Sequence, residues 1–231
     1  IGVAIEAGAT RINIPDTVGC ATPWEFGALI RDVVAFVGFD IIVSAHCHND
    51  LGMATANSIA AVQNGATQVE VTINGIGERA GNAALEEVAV ALALKGIAAT
   101  SIDTTAVTDL SRYIVEITGV PVQPNRAVVG ANAFSHSSGI HQDGLLKAPE
   151  TYEFVPPHVV GAAGHRFVLT ACSGRNAIAH QARGLGYQLS PAQIEMVYQV
   201  FVQRADQKHG AISDEELAAI IREHEADSVT V

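Results

Sequence analysis

The stretch QNGATQVEVTIN, residues 63–74, has the same pattern as EAGATRINIPDT, residues 6–17. In each, Gly-Ala-Thr is followed by one polar residue and then by Ile or Val at alternating positions. Gly8 and Gly65 fit the position just after a helix, where glycine tolerates a left-handed backbone, and the alternating residues fit a strand. Both stretches therefore predict the same unit, a helix that ends at glycine and leads into a strand.

A third apolar run, FDIIVSAHCH, lies between these two stretches. The predicted strands are residues 11–14, 41–45 and 68–73, and the predicted helices are residues 22–37, 52–64 and 83–94. Thr22 and Pro23 suit the N-cap and the first turn of a helix. Regular alternation of strands and helices is typical of a parallel sheet, in either a (β/α)₈ barrel or a doubly wound sheet.

The chain starts without Met, inside the first predicted helix. A closed barrel has eight strands and typically about 250 residues. If the fold is a barrel, we expect its first strands to lie outside this sequence, so that the chain is part of a longer protein.

The alternation stops after Ile97. The patterns predict helices at residues 103–118, 191–207 and 214–224, and irregular chain at residues 119–134, where Pro and Gly recur. The second half is therefore predicted to be a separate and mainly helical subdomain.

Composition excludes several classes of protein. The net charge of -11 argues against a nucleic-acid or anionic-membrane partner, because such surfaces are bound by clustered Lys and Arg. No apolar run of about 18 residues and no signal peptide is visible, so we expect a soluble protein. The cysteines Cys20, Cys47 and Cys172 are odd in number and widely spread, which predicts free thiols and a cytoplasmic location.

His46 and His48 lie in the motif HCHND at the end of the second predicted strand. Successive side chains of a strand point to opposite faces, so the two imidazoles share a face and Cys47 points away. Two imidazoles on one face can bind a single metal ion, and α/β barrels keep their active sites at this end of the strands. The alternative is a pair of polar side chains without a metal. Asn49 and Asp50 are predicted to be loop and capping residues.

The other two predicted strands also end in polar residues. NGIGERAGN supplies Glu78, Arg79 and Asn82, and IPDT supplies Asp16 and Thr17. The glycine spacing of NGIGERAGN matches neither the dinucleotide-binding nor the Walker pattern. Polar clusters at three consecutive strand ends are the pattern that a barrel active site predicts.

A polar segment, FSHSSGIHQDGLLKAPETYEF, follows the irregular region. Its polar side chains include His136, Ser137, Ser138, His141, Gln142, Asp143, Lys147 and Tyr152. The segment is either a structural loop or a lid that contributes a titratable histidine to the site, where the imidazole suits proton transfer.

Two long stretches resemble a known family. HCHNDLGMATANSIAAVQNGATQVEVTINGIGERAGNAALEEV and SHSSGIHQDGLLKAPETYE resemble the 2-isopropylmalate synthases, within the wider family that includes the homocitrate and citramalate synthases. The resemblance extends to about residue 186, and the GIHQDG segment is more similar to isopropylmalate synthases than to homocitrate synthases.

The resemblance implies an α/β fold, the C-terminal part of a TIM (β/α)₈ barrel followed by a mainly helical linker subdomain. We expect barrel in residues 1–100, a linker or lid subdomain containing GIHQDG in residues 101–155, and a helical subdomain in residues 156–231. The implied activity is a Claisen-type condensation of acetyl-CoA with 3-methyl-2-oxobutanoate, which gives 2-isopropylmalate and CoA in leucine biosynthesis. The implied enzyme class is an acyltransferase, and the implied assembly is a homodimer.

The resemblance also assigns roles to individual residues. It implies that His46 and His48 bind a divalent metal, zinc, magnesium or manganese, which polarises the ketone of the oxo acid, and that Asn82 is a further ligand, directly or through water. Thr17 is the implied group at the oxo-acid carboxylate. His141 and Tyr152 are the implied catalytic pair, supplied by the linker subdomain of one protomer to the barrel of its partner.

The sequence departs from the family at three points. The Arg-Asp pair of the family's first strand, which supplies an arginine and a metal ligand, and an upstream glutamate are not in this sequence. Residues 170–177, TACSGRNA, stand where the family often has GKHSGRHA. The resemblance also implies a C-terminal leucine-binding domain in feedback-inhibited members, and we expect none within these residues, which end at EADSVTV. Because the aspartate ligand and the arginine are not among these residues, we expect weak or no activity from the 231 residues alone. We also expect the exposed strand edges and apolar faces to self-associate or to pair with a missing segment.

Other functions stay open at this point. The chain could belong to a homocitrate or citramalate synthase, or to an enzyme similar to hydroxymethylglutaryl-CoA lyase, which has the same HxH strand. It could also be a remnant without catalytic activity that retains only the fold.

Overall fold

The computed structural model describes residues 1–208 and 210–226. The chain divides into two compact units: residues 1–130 with 158–162, and residues 131–157 with the described residues from 163 onward. The boundaries expected from the sequence, after residues 100 and 155, differ from this division, and the three-part organisation stays a prediction.

The first unit alternates helices and strands. In chain order these are α1 (Gly2–Glu6), β1 (Arg11–Asp16), α2 (Pro23–Val37), β2 (Ile42–Cys47), α3 (Ala54–Gln63), β3 (Gln68–Glu70), α4 (Leu85–Leu94) and α5 (Val107–Thr118). Short 3₁₀ turns occur at Ile73–Gly75 and Thr104–Ala106. The predicted order of elements is confirmed.

The three strands form one parallel sheet in the order β1-β2-β3. Val43, Ala45 and Cys47 point from β2 into the core, where they pack with Phe26 and Ile30 of α2. Parallel strands that are joined by helices bury one face under those helices. The intervening residues of each strand therefore point to the opposite face, which carries the polar groups described below.

β3 is shorter than predicted. The backbone of Thr72 pairs with the segment that leads into α4, since its N–H donates to the carbonyl of Ala83 and its carbonyl accepts from Leu85 N–H, at 3.0 and 2.9 Å. Asn74 then adopts a left-handed conformation, with φ of 60°. Residues 72–75 therefore turn away from β2, although their alternating pattern resembles that of a strand.

The second unit contains β4 (Ser135–His136), α6 (Gly139–Lys147), β5 (Arg166–Phe167), α7 (Arg175–Gly184), α8 (Pro191–Lys208) and α9 (Asp214–Ala226). β4 and β5 pair in parallel, with Ser135 opposite Arg166 and His136 opposite Phe167. Helices α7, α8 and α9 bury a core that includes Ile178, Phe201 and Leu217. The predicted helices near residues 191–207 and 214–224 are confirmed as α8 and α9. The GIHQDG segment, predicted as a loop or a lid, forms helix α6.

Within the residues that the structure describes, no helix combines the length and apolar character that crossing a lipid bilayer requires.

Helix α2 begins with a capping box. Glu25 N–H donates to the Thr22 hydroxyl at 3.4 Å, and Thr22 N–H donates to the Glu25 carboxylate at 2.9 Å. These two hydrogen bonds satisfy backbone and side-chain groups at the helix start, and the bond from Thr22 N–H lowers the pKa of the Glu25 carboxyl.

We expect Thr22→Ala to lower the free energy of unfolding of the first unit by about 1 kcal/mol, because the hydroxyl that accepts from Glu25 N–H is lost. Urea denaturation followed by circular dichroism measures this change. Thr22→Ser retains the hydroxyl and serves as the matched control. Equal stability of the Ala and Ser variants would contradict the role of the cap.

Candidate active site

His46 and His48 lie side by side at the carboxyl end of β2. Their Nε2 atoms are 3.3 Å apart, and their ring centroids are 5.1 Å apart. Cys47, between them, is fully buried in the core, and this burial raises the pKa of its thiol to about 12. The two imidazoles thus share one face and the thiol takes the other, as strand alternation predicts.

Glu70 of β3 completes this pair in a way that sequence reasoning missed. The parallel register places Glu70 opposite His46, and Glu70 Oε2 lies 3.2 Å from His46 Nδ1. The same carboxylate accepts hydrogen bonds from the Asn13 amide at 2.7 Å and from the Ser44 hydroxyl at 3.3 Å. A signal was present in the sequence, because Gln68 and Glu70 alternate with Val69 and must share a face, but the partner strand residue follows only from the register.

Asn82 is held beside His48 by backbone pairing. The two residues form an isolated antiparallel bridge. The Asn82 amide nitrogen donates to the Ile76 carbonyl at 3.0 Å, while its Oδ1 atom is buried without a hydrogen-bond partner among the described residues. A Cβ atom at Gly77 would overlap the Asn82 side chain, so this arrangement requires glycine at position 77.

Arg79 connects the loops that follow all three strands. Its guanidinium donates to the carboxylate of Asp50 at 2.9 and 3.1 Å and to the carbonyl of Thr17 at 2.7 Å. The hydrogen bonds from Arg79 lower the pKa of the Asp50 carboxyl. Arg79 also has a positive φ of 54°, which is uncommon for a residue with a side chain. Thr17, the predicted substrate-binding residue, is exposed and lies in this connected group of loops.

The donor set of the first unit fits part of a metal site. Two nitrogens that bind one tetrahedral ion at about 2.0–2.1 Å are about 3.3–3.4 Å apart, which matches the separation of the His46 and His48 Nε2 atoms. Glu70 Oε2 lies 3.2 Å from His46 Nδ1 without the geometry of a hydrogen bond, and its negative charge favours the proton on Nδ1, which leaves the Nε2 lone pair free. Asn82 Oδ1 is an unpaired oxygen donor. No group of three or more His, Cys, Asp or Glu side chains with metal-site geometry occurs in residues 1–208 and 210–226, so these residues supply only part of a coordination shell.

The second unit holds the other two predicted residues in contact with each other. The ring of Tyr152 lies over that of His141, with centroids 4.3 Å apart and ring planes at 34°. A Cβ atom at Gly144, one turn along α6, would overlap the Tyr152 ring, so glycine makes room for it. The predicted roles of His141, Tyr152, Thr17, His46, His48 and Asn82 all stay predictions.

The segment TACSGRNA, which departs from the family pattern, supports α6. The buried Ser173 hydroxyl donates to the Ser137 carbonyl at 3.1 Å, and the Asn176 amide donates to the Asp143 carboxylate at 2.8 Å. Asn176 therefore retains a polar contact with the GIHQDG helix at a position where the family often has histidine.

Two family models match this chain. The HMGL-like model matches residues 1–114, and the model described as homocitrate synthase post-HMGL domain-like matches residues 128–209.

Several relatives of this chain are named 2-isopropylmalate synthase. The chain is 52% identical over 225 residues to the 2-isopropylmalate synthase of Caulobacter vibrioides, a match that covers 95% of this chain and 43% of the relative. It is 49% identical over 236 residues to the 2-isopropylmalate synthase of Olsenella uli, a match that covers 100% of this chain and 46% of the relative. It is 51% identical over 228 residues to that of Pelotomaculum thermopropionicum, a match that covers 96% of this chain and 45% of the relative. The chain belongs to the family of the 2-isopropylmalate synthases. It spans less than half the length of these relatives.

Membership of this family confirms the predicted fold class, a part of a TIM-type barrel followed by a helical part. Among solved structures, an HMG-CoA lyase from Acinetobacter baumannii is 25% identical and has a TM-score of 0.49, with 53% of this chain and 41% of the lyase covered. A TM-score of that size is too low to bear on the chemistry.

We expect the chain to bind Zn²⁺ weakly, and His46→Asn or His48→Asn to lower the affinity about 100-fold or more, because each removes one of two convergent nitrogens. Glu70→Gln should lower the affinity about 10- to 100-fold through the orientation of His46. Isothermal titration calorimetry compares the unmodified chain with these three variants. His158 is an exposed histidine of the same unit, so the His158→Asn variant is the control and should bind Zn²⁺ with the affinity of the unmodified chain. Equal affinity of the His46 variant and the control would contradict a metal role.

Proposed function

We propose that this chain forms part of an acyltransferase that condenses acetyl-CoA with 3-methyl-2-oxobutanoate to give 2-isopropylmalate and CoA. The observation that carries the proposal is the convergence of His46 and His48 Nε2 at a strand end, in a chain about half identical to 2-isopropylmalate synthases. The sequence identity alone supports membership of the family, while the paired imidazoles support the proposal that the metal-assisted reaction of the family is retained.

In the proposed reaction, the first unit binds the oxo acid. His46, His48 and Asn82 would hold a divalent ion, and Zn²⁺, Mg²⁺ and Mn²⁺ are the candidates. The chemistry that such an ion supplies when bound is Lewis acidity toward the ketone oxygen. Glu70 holds His46 in orientation, and the Thr17 hydroxyl donates to the carboxylate of the oxo acid.

The proposed proton transfers belong to the second unit. A base must remove a proton from the acetyl methyl group, after which the methyl carbon attacks the ketone carbon and water hydrolyses the thioester to release CoA. His141 and Tyr152 are the proposed pair for this work, because an imidazole accepts a proton near neutral pH and a phenol can donate one. Their stacked rings keep the two groups together.

We also propose that the protein acts in the cytoplasm, in leucine biosynthesis, and as a homodimer with partners limited to small molecules. All three cysteines are free, in keeping with a reducing compartment. Trp24, Phe36 and Phe39 are exposed apolar side chains of the first unit, and such residues are typical of surfaces that another chain or domain covers. The net charge of -11 argues against a nucleic-acid partner.

A chimaera tests the reaction. The matching 225 residues of the Caulobacter vibrioides enzyme are replaced by this chain, and release of the CoA thiol is measured with 3-methyl-2-oxobutanoate, pyruvate, 2-oxoglutarate and glyoxylate. We expect 3-methyl-2-oxobutanoate to be preferred, and His46→Asn to lower kcat at least 100-fold, with His158→Asn unchanged. Preference for 2-oxoglutarate or pyruvate would instead indicate a homocitrate or citramalate synthase.

The 231 residues alone are the second arm of this experiment. We expect weak or no turnover from them, because the family's arginine and remaining metal ligand are not among them. Turnover of the isolated chain equal to that of the chimaera would contradict this assignment of the missing groups.

A further inference from the structure

Three side chains of the second unit form a hydrogen-bonded chain that the proposed reaction does not use. His136 Nε2 lies 3.2 Å from His165 Nδ1, and His165 Nε2 bonds to the carboxylate of Glu153. His136 ends β4 and His165 directly precedes β5, so the parallel pairing of these strands brings the two rings together. All three side chains are at least partly buried.

The proton positions on the two imidazoles follow from the Glu153 carboxylate at the end of the hydrogen-bonded series. An ionised Glu153 accepts from His165 Nε2–H, so a neutral His165 has its lone pair on Nδ1 and must accept from His136 Nε2–H. One carboxylate therefore fixes the tautomers of both imidazoles. Burial, with the nearby His165 and His141 rings, lowers the pKa of His136, while Glu153 acts in the opposite direction.

The hydrogen-bonded side chains of His136, His165 and Glu153 connect the two segments that hold Tyr152 and His141. Glu153 is the neighbour of Tyr152, and Glu153 is tied through His165 to the start of β5. His136 leads into α6, the helix that carries His141. The fully buried Gln142 fixes that helix by donating to the carbonyls of His136 at 2.8 Å and Val168 at 3.3 Å.

The Tyr152 ring lies over Gly144 as well as over the His141 ring of α6. The absence of a side chain at Gly144 permits the stack on His141 but does not itself hold Tyr152 there. The Tyr152 end of the stack is held by its backbone N–H, which donates to the Pro149 carbonyl at 3.1 Å, and by the contact of the following residue, Glu153, with His165.

We propose that Glu153, acting through His165 and His136, is a positioning residue that holds the Tyr152 ring over His141 and sets the tautomers of both histidines. The proposal rests on the proposed function in so far as His141 and Tyr152 are the catalytic pair. Nothing in the stacked pair itself requires a carboxylate next to Tyr152, so the role of Glu153 is separable from catalysis.

Nuclear magnetic resonance of this 231-residue chain with ¹⁵N- and ¹³C-labelled histidine tests the proposal. At pH 9, where imidazoles of ordinary pKa are neutral, we expect Nε2–H tautomers at His136 and His165. We also expect an upfield ring-current shift of the His141 ring protons that is lost in Tyr152→Leu.

Two substitutions of Glu153 test its proposed effects on the histidine tautomers and on the stacked rings. Glu153→Gln retains an oxygen that accepts from His165 Nε2–H and should preserve both tautomers and the ring-current shift. Glu153→Leu removes the acceptor, and we expect mixed tautomers and loss of at least half of the shift. Preserved tautomers and shift in Glu153→Leu would overturn the proposal, as would loss of both in Glu153→Gln.

Gly144→Ala serves as the matched control. Its methyl group overlaps the Tyr152 ring but not the three-residue chain, so the ring-current shift should disappear while both tautomers persist. A Gly144→Ala protein that loses the tautomers would overturn the assignment of Glu153 as the group that sets them. These readouts need no turnover, so an inactive chimaera with the expected spectra would reject the proposed function and leave the positioning role supported.

Discussion

The in-register parallel pairing of β1, β2 and β3 is the constraint on which the first unit depends. It places Pro15, His46 and Glu70 in one row across the sheet. Because side chains alternate along each strand, this row and the row of Asn13 and Ser44 lie on one face, while the apolar residues fill the core on the other. A shift of any strand by one residue would bury the polar groups and expose the core residues.

Beyond the strand ends, close packing determines the site. The loop of residues 74–82 brings Asn82 next to His48, and glycines at positions 75, 77 and 81 allow this approach because a Cβ at each would collide with the neighbouring loop atoms. Arg79 then holds the loops after β1 and β2 in place through Thr17 and Asp50. The candidate metal residues are thus positioned by backbone bridges and by the ion pair between the loops, together with the Glu70 carboxylate beside His46 and the hydrogen bond from the Asn82 amide to Ile76.

The second unit uses the same principle on a smaller scale. Two residues of β4 pair with two of β5, and this short pairing is enough to bring His136 against His165. The buried Gln142 ties the following helix to the same strands. His141 therefore lies on a helix that is tied to both strands, while its side chain and that of Tyr152 are exposed to solvent.

The sequence by itself determined the order of helices and strands, the shared face of His46 and His48, and the family, because periodicity and motif spacing are local properties. It also indicated Thr22 as the N-cap of α2, with Pro23 in the first turn, while the reciprocal bond from Thr22 N–H to Glu25 was found only in the structure. Only the tertiary structure decided that β3 ends at Glu70, that Glu70 faces His46, and that Glu153 contacts His165. These facts depend on which strands pair and in which register. They also depend on contacts between residues 12 or more positions apart in the sequence, which no local pattern encodes.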